Sequence, residues 1–343
     1  MSMSGAGASG EDSLIARYFK PLATDPGAFG LTDDAAILKA LGEDIVVTTD
    51  AIVEGVHFLS DDPPDTIAKK ALRVNLSDLA AKGATPAGFV LTLALRKVDV
   101  AKIDETKIDK TWLAAFAGGL GEDAGAFNCP LLGGDTVSTP GPLMVSITAF
   151  GRVAPSKMVR RSGAKPGDHV VVTGTIGDAA LGLDILTKGK VATALANDAT
   201  SRDMLIDRYR VPQPRNILAP AIRAHARAAM DVSDGLAGDL AKLCAASGVS
   251  AVIDLKSVPL SRAASAALVT NVVGVADIVS GGDDYEILCT VAPAAFEDFV
   301  RMAQSAGVAV CSIGIIVDGE PSPKWLDAEG DEMRLSRLSY SHF

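Results

Sequence analysis

Apolar and polar positions along the chain follow two periods. Residues 45–49 (IVVTT), 88–96 (GFVLTLALR), 143–153, 169–173 (HVVVT), 251–255, 286–291 and 308–317 are short runs rich in apolar and β-branched residues, and they read as strands. The first is expected to end on Asp50, and residues 230–234 form another short strand end that turns from apolar to acidic. Residues 12–19, 64–82, 111–127, 178–186, 216–228, 236–247 and 294–306 carry helix formers and read as helices. The helix at 64–82 stops at Gly83 with Pro86 beyond it, and Gly248 closes the helix at 236–247. Strands and helices mix in both halves, which predicts an α/β or α+β fold.

Residues 154–168 (APSKMVRRSGAKPGD) are polar, basic and rich in Gly and Pro, and mark a domain boundary. The expected division is a disordered N-terminus at 1–10, a first domain at 11–153 and an α/β domain at 154–343. The first ten residues contain a formal G-x-G-x-x-G at Gly5, Gly7 and Gly10. No strand precedes it, so it does not read as a dinucleotide site. The two halves are built alike: Ser77-Asp78 precedes Gly133-Gly134-Asp135 much as Ser233-Asp234 precedes Gly281-Gly282-Asp283.

Composition narrows the function. The 343 residues carry 32 Lys plus Arg against 42 Asp plus Glu, a net charge of −10, which argues against a general nucleic-acid binder. Uncharged stretches such as 86–95 and 263–276 fall short of the ~18 apolar residues of a spanning helix, so no membrane partner is expected. The N-terminus shows no basic region followed by an apolar one, hence no secretory signal. Cys129, Cys244, Cys289 and Cys311 are far apart in apolar surroundings and read as core residues of a cytoplasmic protein.

The informative residues are aspartates. Asp33-Asp34, Asp50, Asp78, Asp135, Asp231, Asp234 and Asp283-Asp284 follow apolar runs or sit in Gly and Ser loops, with few basic residues nearby in sequence. Short carboxylates converging from strand ends repel one another unless hard cations sit between them, and oxygen-only ligands suit Mg2+. Thr48, Thr49 and Ser233 add hydroxyls. Helix capping and turn formation compete as explanations for each aspartate singly, Asp78 and Asp234 above all. Capping does not explain their recurrence together.

Other chemistries are excluded by what is missing. The chain has no G-x-x-x-x-G-K-[ST], no protein-kinase signature, no G-x-S-x-G and no H-E-x-x-H. His57, in Glu54-Gly55-Val56-His57-Phe58, is a candidate site residue because strand-end loops carry sites, whereas His169 opens an apolar strand and reads as structural. Arg160-Arg161-Ser162-Gly163 either holds phosphate oxygens or is a solvated basic linker.

The ordered motifs resemble the bacterial thiamine-monophosphate kinases, within the superfamily of aminoimidazole-ribonucleotide synthetase-like ATP-using enzymes. The resemblance rests on Thr32-Asp33-Asp34-Ala35-Ala36, Thr48-Thr49-Asp50, Asn75-Leu76-Ser77-Asp78, Gly133-Gly134-Asp135, Arg161-Ser162-Gly163, Asp231-Val232-Ser233-Asp234 and Gly281-Gly282-Asp283-Asp284-Tyr285-Glu286, and on the terminal Tyr340-Ser341-His342-Phe343. It implies phosphorylation of thiamine monophosphate by ATP with several Mg2+ ions, in a homodimer whose N-terminal domains share a β-barrel. It further implies a metal shell of Asp34, Thr48, Thr49, Asp50, Asp78, Asp135, Asp231 and Asp234. The implied ATP contacts are Gly134, Asp135, Arg161 and Ser233, and the implied substrate contacts are His57, Asp283 and Tyr340. Two positions depart from the family pattern: Thr32 stands where the family has Gly, and Asp283 where it has Glu.

This reaction needs no dedicated base, because the accepting phosphate has a second pKa of about 6 and is already a nucleophile at neutral pH. The rival readings are another ATP-using synthetase of the superfamily and a non-catalytic nucleotide-binding maturation protein.

Overall fold

The computed structural model describes residues 14–32, 35–96, 110–335 and 337–339. Asp33, Asp34, Tyr340 and the N-terminal glycines lie outside the described residues.

The chain divides into two compact units, the first comprising residues 1–41, 47–75 and 86–152, the second residues 42–46, 76–85 and 153–343. The first is built on a four-stranded sheet in the order β1-β4-β2-β3, from strands β1 (Asp44–Val53), β2 (Thr85–Arg96), β3 (Leu131–Thr139) and β4 (Met144–Val153). Helices α1 (Pro64–Ala81) and α2 (Lys110–Ala126) accompany it. β4 alternates buried and half-buried residues along its whole length, the period-2 signature of a sheet with one covered face. Val145, Ile147 and Ala149 point into the core with Phe89, Leu91 and Leu93 of β2. The opposite face mixes apolar and polar groups, among them Thr148, Phe150 and Arg152 of β4, and Val47 of β1 and Val137 of β3 are exposed.

The second unit holds a seven-stranded sheet in the order β11-β10-β7-β9-β5-β8-β6. Its inner strands β5 (His169–Thr173) and β8 (Glu286–Val291) are almost wholly buried, which is why both appear in the sequence as largely apolar runs without alternation. The others are β6 (Ala226–Val232), β7 (Ser250–Asp254), β9 (Val310–Val317), β10 (Lys324–Leu326) and β11 (Glu332–Met333). Helices α3 (Asp178–Leu186), α4 (Lys190–Ala194), α5 (Ala199–Arg210), α6 (Ala219–His225), α7 (Leu236–Ser247), α8 (Arg262–Val269), α9 (Val275–Val279) and α10 (Pro293–Ser305) complete the unit. Gly248 adopts φ 67° and ends α7, as its place in the sequence implied. Cys129, Cys244 and Cys289 are buried free thiols, and burial pushes Cys129 and Cys289 up to about 12. No described helix is long and apolar enough to cross a membrane.

Three expectations are corrected. Residues 15–19 form a π-turn rather than an α-helix. The helix expected at 216–228 breaks into a 3-10 turn, α6 and the start of β6, because residues from Ala226 on pair with β8. Asp50 does not end its strand. β1 runs on to Val53, and the Thr49 hydroxyl donates to the Ile147 carbonyl of β4 at 3.2 Å while accepting from Thr148 at 3.0 Å.

Candidate active site

In the first unit, Asp135 also lies inside a strand. It pairs with Thr92 in the parallel β2–β3 ladder, next to Gly134, which pairs with Leu91. A Cβ on Gly134 would sit 2.1 Å from the Leu91 carbonyl oxygen, so the close strand approach demands glycine, whereas a Cβ on Gly133 would meet nothing within 4 Å. Beside this ladder opens a cavity of about 400 Å³. Its apolar wall comes from Ile15, Phe19, Ala28 and Leu31, and its polar rim from Gly133, Gly134, Asp135 and Thr136. A concave site of this kind, mostly apolar with a few polar groups at one edge, suits a small ligand with a flat apolar part and a charged tail.

Thr48, Thr49 and Asp50 lie on β1, at the other edge of the same sheet from Asp135 on β3. With three strand spacings between them, roughly 14 Å at ~4.8 Å each, one copy of the sheet does not bring these residues together. His57 follows β1 in a tight turn closed by the Gly55 N–H on the Phe58 carbonyl. Its Nδ1 accepts from the Val53 N–H at 3.1 Å, which leaves Nε2 as the proton-bearing nitrogen of the neutral ring. Lys70 of α1 is buried and donates to the His57 carbonyl at 2.8 Å, holding the turn from below.

The second unit gathers a separate group. Asp78 on α1 and buried Asp231 on β6 both act electrostatically on Lys82, as does Arg161. The Lys82 ammonium donates to the Ala229 carbonyl at 2.7 Å. Burial pushes the Lys82 amine below its usual value and Arg161 adds to that, while Asp231 and Asp78 oppose it. Lys82 was missed in the sequence, where it reads as the last residue of a helix. The segment around Arg161 is tied to β6 and to the end of α7: the Ala229 N–H donates to the Arg160 carbonyl at 2.8 Å, and the Ser247 hydroxyl accepts from the Gly163 N–H at 3.1 Å.

Asp234 is half-buried and pairs with Lys242 of α7, so the expectation of aspartates without basic partners fails here. Lys242 also reaches Asp239 at 2.9 Å, and Asp239 accepts from the Ser233 and Asp234 N–H groups, each at 3.0 Å. This buried carboxylate organises the Ser233–Asp234 turn. Burial raises the pKa of its carboxyl group against the pull of Lys242. Asp283 lies on the neighbouring loop, its N–H donating to the Ser233 carbonyl at 2.8 Å.

Among the described residues no three His, Cys, Asp or Glu side chains group closely enough to hold a metal by themselves. The donors are nevertheless carboxylates and hydroxyls, the chemistry Mg2+ prefers. Mg2+ commonly takes one or two protein carboxylates and fills its shell with substrate phosphates and water. The donor set therefore fits Mg2+ carried in with a nucleotide.

Residues 32–153 match the family model described as AIR synthase related protein, N-terminal domain, and residues 165–325 the corresponding C-terminal domain. The chain is 44% identical over 333 residues to the thiamine-monophosphate kinase of Caulobacter vibrioides, covering 96% of this chain and 89% of that one. Its fold is similar to the crystal structure of thiamine-monophosphate kinase from Stenotrophomonas maltophilia K279a, with TM-score 0.78, 35% identity and coverage of 96% and 99%. It is also similar to AaThiL complexed with AMPPCP and TMP, with TM-score 0.75, 26% identity and coverage of 92% and 97%.

Proposed function

The chain belongs to the thiamine-monophosphate kinase family of AIR synthase related proteins and phosphorylates thiamine monophosphate with ATP, and we propose that it does so by direct in-line transfer in a site completed by a second copy of the chain. The observation that carries the reading is the cavity beside β3. Its apolar wall suits a nucleobase, and its Gly134–Asp135 rim suits the phosphates and their cation. Arg161 is the guanidinium this reading assigns to the phosphate oxygens, through charged bonds.

Bound Mg2+ supplies charge neutralisation between the two anionic reactants. Asp50, Asp135, Asp78, Asp231 and Asp234 are the carboxylates that would hold it, with Asp34, Thr48 and Thr49 completing the set. Thr49 already spends its proton on Ile147, which leaves an oxygen lone pair for a ligand role. The protein's own part is positioning. His57 stands in a turn held by Lys70, Ser233 stands in a turn held by Asp239, and His57, Asp283 and Tyr340 are the residues this reading assigns to the acceptor. The acceptor phosphate is its own nucleophile, so no side chain need remove a proton.

The separation of the Thr48–Asp50 segment and Asp135 at opposite edges of one sheet supports the dimer. A second copy closing the sheet into a barrel would cover the half-exposed Val, Thr and Phe face and supply the missing edge. A cytoplasmic place follows from the substrates, both of them intracellular metabolites.

The test is product analysis after incubation with ATP, thiamine monophosphate and Mg2+. Thiamine diphosphate and ADP should form in equal amounts, and excess chelator should abolish both. Full turnover in chelator would overturn the metal reading, and ADP without thiamine diphosphate would overturn the acceptor.

A further inference from the structure

Between α9 and β8 the chain makes a turn that ordinary residues avoid. Asp283 has φ 69° and Tyr285 φ 50°, two non-glycine residues in the left-handed region within three positions. Each such conformation is strained, persists only where its surroundings impose it, and is concentrated at functional sites. The surroundings here are specific. The Asp283 N–H donates to the Ser233 carbonyl and the Tyr285 N–H to the Val232 carbonyl, each at 2.8 Å. Between them Asp284 is buried and accepts from the Gly177 N–H at 2.8 and 2.9 Å. Gly282 is required by the same fit, since a Cβ there would lie 2.6 Å from the Ser233 carbonyl oxygen.

The consequence is an alternation. Asp284 points inward, while Asp283 and Tyr285 on either side are only half-buried. Their side chains meet: the Tyr285 hydroxyl donates to the Asp283 carboxylate at 3.2 Å. The Tyr285 carbonyl in turn receives the Ser77 hydroxyl at 3.4 Å, next to Asp78. The strained turn thus places a phenol and a carboxylate as a bonded pair beside the Ser233–Asp234 turn.

We propose that Tyr285 is a positioning residue for the acceptor, its hydroxyl fixing the Asp283 carboxylate in the orientation that receives the cationic, amine-bearing half of thiamine monophosphate. This rests on the reading of Asp283 as an acceptor contact. A carboxylate repels the phosphate end of the acceptor and attracts its thiazolium and aminopyrimidine end, so that end is the one Asp283 faces. A short Asp side chain reaches a ligand only along a narrow set of directions. A fixed hydroxyl selects one of them before the ligand arrives, which is where pre-organisation adds affinity.

The experiment is a double-mutant cycle with Tyr285→Phe, Asp283→Ala and the pair, reading KM for thiamine monophosphate, KM for ATP and melting temperature. Tyr285→Phe keeps the ring and removes only the hydroxyl. It should raise KM for the acceptor roughly three- to ten-fold, the range for an ordinary intramolecular hydrogen bond, with KM for ATP and melting temperature nearly unchanged. Asp283→Ala should raise the acceptor KM at least as much, and the double variant should match Asp283→Ala alone. Independent, multiplying effects would overturn the proposal, as would an unchanged acceptor KM in Tyr285→Phe beside a raised one in Asp283→Ala. A Tyr285→Phe variant that melts lower and weakens both substrates alike would make Tyr285 purely structural and overturn it too. If Asp283→Ala leaves the acceptor KM unchanged, the underlying reading of Asp283 falls and takes the proposal with it.

Discussion

Single residues in this protein do two jobs that look alike in the sequence. Asp283 and Asp284 are adjacent and chemically identical, yet one is half-buried on a loop and the other is buried on the Gly177 N–H. Burial raises the Asp284 carboxyl well above its ordinary value, with the Gly177 N–H opposing and the neighbouring Asp178 adding to the rise. The folded protein therefore keeps that proton to a higher pH than the unfolded chain, where the value is about 3.9. The stability this group contributes is complete below the unfolded value and is lost as pH rises through the folded one. Asp284→Asn keeps an acceptor for Gly177 and cannot ionise. Its melting temperature relative to the parent should rise between pH 4 and pH 8, and a constant difference across that range would contradict the assignment. The sequence showed that the aspartates were special but not how they differ, because burial is decided by tertiary neighbours. The same holds for cations. Lys242 stands eight residues from Asp234 but two turns along α7, and Lys82 joins Asp231 only through the fold.

At the scale of elements, the strongly patterned segments were legible to the residue. β5, β8, α3 and α7 occupy the spans their apolar runs and flanking glycines indicate. α5 was not seen, because it buries only Ser201, Leu205 and Tyr209, one position per turn in an otherwise polar stretch. β10 and β11 are three and two residues long, too short to carry a period. The end of β1 was misjudged for a different reason: an acidic residue at an exposed sheet position ends the apolar pattern without ending the hydrogen-bond ladder. The β2–β3 ladder gives an element-level test. Gly134→Ala forces a methyl against the Leu91 carbonyl, while Gly133→Ala enters open space. Overpacking of this kind costs about 1–3 kcal/mol, so Gly134→Ala should lower the melting temperature by roughly 2–10 °C and raise KM for ATP. Gly133→Ala should stay close to the parent in both. Equal behaviour of the two variants in thermal melts and ATP titrations would refute the close-approach argument.

For the whole molecule the question is how a chain of net charge −10 brings two anionic reactants together. On the proposed reading cations carried with the nucleotide answer the charge, but one sheet leaves Thr48–Asp50 and Asp135 at opposite edges. Its half-exposed face carries the exposed side chains of Val47 on β1 and Val137 on β3, one on each edge strand. We propose one remedy for both features, a second copy that covers the face and brings an edge to each half-site. The prediction is a species of twice the chain mass in sedimentation at micromolar concentration. Val47→Asp places an unpaired charge in the covered face, where burial without a partner costs several kcal/mol, enough to separate the copies. The substitution lies on an exposed strand position, so the far-ultraviolet circular dichroism of the variant should match the parent. Turnover should fall with the loss of dimer and recover as protein concentration is raised, because association is a mass-action step. A Val47→Asp protein that sediments as a monomer and turns over at the parent rate at every concentration would show that one copy builds the whole site, and the shared sheet would have to be abandoned.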